Sequence, residues 1–148
     1  MNTIDEILDY AIDQEQQAAD FYEDVAKRAE NADMRKMLLD FAAEEKHHKV
    51  ILQDVKTGGR ELTPEQEVLD LKISDYLVEV EFTENISYQD ALIIAMKKER
   101  AAFELYTDMA QKIPESHLKE VLVGLAKEEA KHKLFFEAEY DERVLMDN

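Results

Sequence analysis

No cysteine occurs anywhere in the 148 residues. That absence rules out a disulfide framework, a thiolate zinc site and a Cys-ligated iron–sulfur centre together. Glycine and proline are almost as scarce, at three and two residues, so the chain has little of the turn chemistry that a sheet requires. Positive charge is also short: 18 Lys and Arg stand against 35 Asp and Glu, a formal net charge of −17. Such acidity repels nucleic-acid phosphates and anionic membrane surfaces, and neither is an expected partner. An apolar run long enough to span a bilayer is missing, as is a basic-then-apolar leader pattern. A cytoplasmic location is therefore the expectation.

What is present favours helices. Apolar residues make up 45% of the chain, enough for a real core in one ordinary domain. The abundant Ala, Leu, Glu, Lys and Gln are strong helix formers. Thr3-Ile4-Asp5-Glu6 reads as a capping box. Behind it Ile4, Leu8, Ala11, Ala18, Tyr22 and Val25 recur at helical spacing and make one apolar face. A second helix is expected from a cap near Asp33, with Met34, Leu38, Phe41, Leu52 and Val55 facing inward and Gly58-Gly59 stopping it. A third opens on Ser87-Tyr88-Gln89-Asp90, carries Tyr88, Leu92, Ala95, Ala102, Tyr106 and Met109, and ends before Pro114. Ser116 caps a fourth, with Leu118, Leu122, Leu125 and Phe136 inward.

The expected class is an all-α four-helix bundle in a single domain, 1–148. Two helical hairpins, 3–57 and 87–143, are joined by a crossover over 58–86. Thr63-Pro64-Glu65-Gln66 predicts a short helix inside that crossover, and no element is assigned from 76 to 82. A link of this length suits a connection that runs along the bundle.

The second hairpin repeats the first at an ungapped offset of 84 (99 minus 15, 129 minus 45, 132 minus 48). Leu8 and Leu92, Ala11 and Ala95, Ala18 and Ala102, Tyr22 and Tyr106, Leu38 and Leu122, and Glu44 and Glu128 all obey it. A pseudo-two-fold site between the hairpins is the natural consequence.

Each apolar stripe is interrupted at the same place. Glu15 replaces an apolar residue in helix 1 and Glu99 does so in helix 3. Glu45 and His48 interrupt helix 2, and Glu129 and His132 interrupt helix 4. Glu15, Glu45 and Glu99 each lie 12 residues past the predicted caps at Thr3, Asp33 and Ser87, and Glu129 lies 13 past Ser116. The six side chains therefore converge at mid-height whichever way neighbouring helices run. Burying unpaired carboxylates costs several kcal/mol each, and neighbouring ones repel. No Lys or Arg lies on the stripes to neutralise them. Two divalent cations would balance four carboxylates and leave the histidines neutral, as metal ligands must be. One glutamate from each of two helices plus Glu-x-x-His from each of the other two is the ligand set of di-iron and di-manganese carboxylate bundles. Oxygen-rich ligation with two imidazoles suits iron or manganese, and zinc can substitute.

Around these six, Glu44 and Glu128 are candidates to accept a hydrogen bond from the outer ring nitrogen of the histidine in the other half; the alternative is two solvated glutamates. Tyr22 and Tyr106 are candidates to hydrogen-bond a ligand carboxylate or to relay electrons, or else are core tyrosines with satisfied hydroxyls. His47 falls off the stripe and is expected to face solvent, and His117 begins helix 4.

At these residues the chain resembles the ferritin-like superfamily and, within it, the rubrerythrin-type di-iron domain, over nearly its whole length. Glu15 and Glu99 match the family's glutamates of the first and third helices. Glu45-Lys46-His47-His48 and Glu129-Ala130-Lys131-His132 match its two Glu-x-x-His motifs. The resemblance implies two iron ions on these six residues and reaction with O₂ or H₂O₂ in the manner of a ferroxidase or peroxidase. It also implies a role in iron handling or oxidative-stress protection, and a homodimer. There are two departures. Rubrerythrins draw electrons through a Cys-ligated rubredoxin module, so here the electron donor is unknown. They also carry a further glutamate three residues after the third-helix ligand, where this chain has Ala102. That glutamate supports the iron movement of peroxide reduction, so its loss argues against a rubrerythrin-type peroxidase. The remaining six look more like the ferroxidase centre of bacterioferritin. The alternative function is a non-catalytic metal-binding or iron-storage bundle.

Overall fold

The computed structural model describes residues 1–78 and 86–147. Four helices carry the chain: α1 (Ile4–Arg28), α2 (Ala32–Thr57), α3 (Tyr88–Gln111) and α4 (His117–Asp147). Each start is chemically marked. The Thr3 side chain accepts from the Glu6 amide while the Glu6 side chain accepts from the Thr3 amide, the full reciprocal box. Ser87 makes only the forward half, accepting from the Asp90 amide, because aspartate is one methylene shorter than the glutamate a box requires. Ser116 Oγ accepts from the Lys119 amide at 3.2 Å and caps α4. The cap of α2 differs from expectation: it is Asn31, whose Oδ1 accepts from both Asp33 and Met34 amides, and Asp33 lies inside the first turn. At the other end of α2, a Cβ added to Gly58 would sit 3.1 Å from the Asp54 carbonyl oxygen. That oxygen already accepts from the Gly58 amide at 2.9 Å.

α1 packs along α2, and α3 packs along α4. The two hairpins then face each other, α1 against α3 and α2 against α4. Tyr22 reaches Glu99 while Tyr106 reaches Glu15, so α1 and α3 run antiparallel. His48 reaches Glu129 while His132 lies beside Glu45, so α2 and α4 do too. α2 and α3 must therefore run the same way, which is why a long crossover has to separate them. The crossover is tied down at its start. Strand β1 (Asn2–Thr3) pairs antiparallel with β2 (Val68–Leu69), and the Ile4 amide donates to the Glu67 carbonyl at 2.8 Å. Thr63 and Gln66 do form a capping box, but it closes a single turn, because β2 begins two residues later. The helical piece of the crossover is instead a 3₁₀ turn at Ile73–Tyr76. The remainder, 79–85, lies outside the described residues.

Two apolar clusters fill the bundle, one toward each end. Ile4, Leu8, Leu52, Met109, Leu118 and Leu122 belong to the first, which also takes in Leu69 and Leu71 of the crossover. Phe21, Tyr22, Leu38, Phe41, Leu92 and Phe136 belong to the second. Leu52 and Leu122 are fully buried, worth roughly 1.5–3 kcal/mol each in transfer free energy. Between the clusters lies the polar layer. No helix among the described residues is long and apolar enough to cross a membrane.

Candidate metal centre

The six side chains that interrupt the stripes come together. Glu15, Glu45, His48, Glu99, Glu129 and His132 are all 4% exposed or less. Their donor atoms form two groups of four, Glu15–Glu45–His48–Glu129 and Glu45–Glu99–Glu129–His132, each within 4.8 Å of one another. Glu45 and Glu129 belong to both groups, so each would be shared if both groups held an ion.

Contacts around the six follow the internal two-fold. Each histidine turns Nδ1 inward: His48 Nδ1 lies 2.8 Å from Glu129 Oε1, and His132 Nδ1 lies 2.9 Å from Glu45 Oε1. Each turns Nε2 outward, His48 to Glu128 at 2.5 Å and His132 to Glu44. Glu44 and Glu128 are themselves half exposed, so they hold the rings from the solvent side. Phe41 stacks on the His132 ring with centroids 4.2 Å apart. On the opposite side Tyr22 donates its hydroxyl proton to Glu99 and Tyr106 donates to Glu15. His47 is exposed and His117 opens α4.

The electrostatics show how poorly this layer tolerates its own charge. Burial, then the charges of Glu99 and Glu15, push the Glu45 carboxyl well above the ordinary carboxylate range. Burial and the charges of Glu15, Glu45 and Glu99 do the same to Glu129. Burial opposes a charge on His48, but Glu15 and Glu128 outweigh it and push it up to about 9. His132 is raised likewise: burial opposes, and Glu99 and Glu44 prevail. Glu15 goes the other way: burial opposes its charge, but hydrogen bonding to Glu45 and His48, the His48 charge and the Tyr106 hydroxyl hold its carboxyl below the ordinary range.

Protonation does not satisfy the geometry. Glu15 Oε2, Glu45 Oε1, Glu99 Oε2, Glu129 Oε2 and His132 Nδ1 are buried without a hydrogen-bond partner. His132 Nδ1 is near Glu45, yet outside hydrogen-bond alignment. An unmet buried polar atom costs about 1–3 kcal/mol, and five of them belong to the six residues that close on one point. Cations at that point would meet all five, so the residues present fit a metal pair. Oxygen-rich donors with two imidazoles suit iron or manganese better than softer metals.

Beside the four glutamates, on the α1–α3 side, lies a cavity of about 30 Å³, the volume of roughly one water. Ala18 and Ala102 make room for it, and Gln14, Lys98, Tyr10 and Tyr76 complete its wall. Lys98 is held below the ordinary lysine range by burial, against the opposing pull of Glu99. The stripe pattern misses these wall residues. Lys98 precedes a ligand off the inward face, and Tyr76 falls where no periodicity exists. The signal that was available for Lys98 is the repeat, since it is the counterpart of Gln14 at the same offset.

A four-helix bundle whose mid-height layer pairs four carboxylates with two imidazoles defines the class of carboxylate-rich helical metal sites. The chain belongs to the rubrerythrin family, whose profile matches residues 6–140. Among solved structures, a protein of Thermotoga maritima described as a ferritin-like diiron-carboxylate protein is similar, with a TM-score of 0.80 at 18% identity. That match covers 95% of this chain and 96% of the other. A hypothetical protein of Pyrococcus furiosus is similar at TM-score 0.70 and 26% identity, covering 93% of this chain and 87% of the other. No curated protein matches the chain.

Proposed function

We propose that this chain is a di-iron oxidoreductase that consumes O₂ or H₂O₂, with Glu15, Glu45, His48, Glu99, Glu129 and His132 holding the two ions. The observation that carries the reading is the convergence of five buried, partnerless donor atoms on two overlapping four-residue groups. When bound, a reduced iron pair supplies two electrons to a small oxidant. What the protein supplies is orientation and exclusion of water. Glu128 and Glu44 take the Nε2 protons of His48 and His132, which fixes the tautomer and leaves Nδ1 free to bind inward. Tyr22 and Tyr106 each occupy one oxygen of Glu99 and Glu15, so the second oxygen of each turns to the centre. Burial and the charge of Glu99 hold the Tyr22 hydroxyl well above its usual range, and burial and Glu15 do the same to Tyr106, so both remain donors. A cavity of about 30 Å³ beside the acids favours a diatomic oxidant over an organic substrate. A homodimer is the assembly we expect by family resemblance.

Metal content of protein purified without chelator tests the reading, followed by anaerobic Fe(II) loading and separate mixing with O₂ and H₂O₂. The expected outcome is about two irons per chain, one for each four-residue group, and a ferric absorbance that develops on mixing. Iron that loads but does not react with either oxidant would leave a non-catalytic metal bundle. Reaction together with a large shell on size-exclusion chromatography would make the chain a storage subunit.

A further inference from the structure

The cavity against the four glutamates is walled on the crossover side by Tyr76 and Val78. A second cavity, of about 450 Å³, lies on the outer side of the same residue, lined by Asp70, Lys72, Asp75, Asp108, Gln111 and Lys112. Tyr76 is the residue common to both linings. Its hydroxyl donates to Asp108 Oδ2 at 2.6 Å, and its carbonyl accepts from Tyr10 Oη at 3.4 Å. The 3₁₀ turn that carries it contains no fully buried residue, so the ring is held by one charge-assisted hydrogen bond and its wall contacts. It also packs, partly buried, against the edge of the first apolar cluster, and the hydrogen bond to Asp108 holds its outer end.

Among the described residues, the α2–α4 side offers no such element. There the two histidine rings and their glutamates cover the centre, and Phe41 is stacked against one of them. Resting on the metal-centre reading above, we propose that Tyr76 is the gate of the centre, latched by Asp108, and that it sets the size of molecule that passes between solvent and the metals. With the latch closed, the inner space holds one or two heavy atoms. A larger ligand must wait for the ring to move.

The test uses the full chain loaded with Co(II), whose visible spectrum reports its coordination. Azide binding and extraction by EDTA are followed in wild type, Tyr76→Phe, Tyr76→Ala and Asp108→Ala. Tyr76→Phe and Asp108→Ala break the latch and should speed both processes by about tenfold, the share of opening that one charge-assisted hydrogen bond holds back. Tyr76→Ala should exceed both, and Co(II) stoichiometry should stay unchanged in all. Equal rates in the latch variants and wild type, with full Co(II) uptake, would overturn the gate and leave the metal centre standing. Failure of wild type to take up Co(II) would overturn both. If Tyr76→Ala does not fold, the two latch variants decide alone.

Discussion

The two faces of the polar layer are built from the same repeat and yet behave differently. On the α2–α4 face the groups that steady the ligands are the Glu128 and Glu44 carboxylates, half in water, holding imidazoles whose proton affinity is raised, that of His48 to about 9. On the α1–α3 face they are two buried phenols that keep their protons. Tyr76 and Val78 of the crossover line the second face. An internal two-fold therefore fixes which residues meet, and the one segment outside the repeat decides which face is closed by a movable side chain and which by ligand contacts. One face can be tuned by pH and salt, the other only by packing.

The largest expected effect that separates the faces is pH dependence of the metal-free protein. The folded pKa of His48, about 9, lies above its ordinary 6.5. Its contribution to stability is fully present below 6.5 and is lost as pH rises through about 9. The raised carboxyls of Glu45 and Glu129 act with the same sign. Denaturant unfolding in the presence of a chelator should show stability falling between pH 6.5 and 9, by on the order of 3 kcal/mol for His48 alone. Metal affinity should rise over the same interval, because binding displaces those protons. A metal-free protein that gains stability across this range would contradict the electrostatics described above.

Next comes removal of one outer group from each face. Glu128→Ala should weaken metal binding by about 10–100-fold, measured by competition with a chelator, by leaving the His48 Nε2 proton without its acceptor. Tyr22→Phe, on the phenol face, should cost the metal-free protein about 1–3 kcal/mol in thermal or denaturant unfolding, because Glu99 loses its donor where water cannot replace it. Only the first change should depend appreciably on ionic strength, since Glu128 is half exposed and Tyr22 is buried.

The difference between the faces also separates what was legible in the sequence from what was not. The six residues of the layer stand out because charge on an inward helical face is costly, and an ungapped repeat makes the same costly choice twice. The fold follows from the same periodicity. The cap of α2 lies at Asn31, two residues before Asp33, because both are able caps and only the backbone geometry selects Asn31. The cap at Thr63 is real and predicts a helix, but strand pairing to Asn2 and Thr3 overrides propagation. Tyr76 was out of reach. Its position depends on Tyr10 and Asp108, distant in sequence, and a single 3₁₀ turn leaves no period to detect.

The repeat has a kinetic consequence as well. Within each hairpin the contacts are local, and such structure forms early and fast. The bonds that build the polar layer join residues far apart in the chain: Tyr106 to Glu15 across 91 positions, and His48 to Glu129 across 81. Glu15 meets Glu45 within one hairpin and Glu99 meets Glu129 within the other, but all four carboxylates come together only when one hairpin closes on the other. That closure gathers the buried charge in one place, and a divalent cation that removes the repulsion favours it.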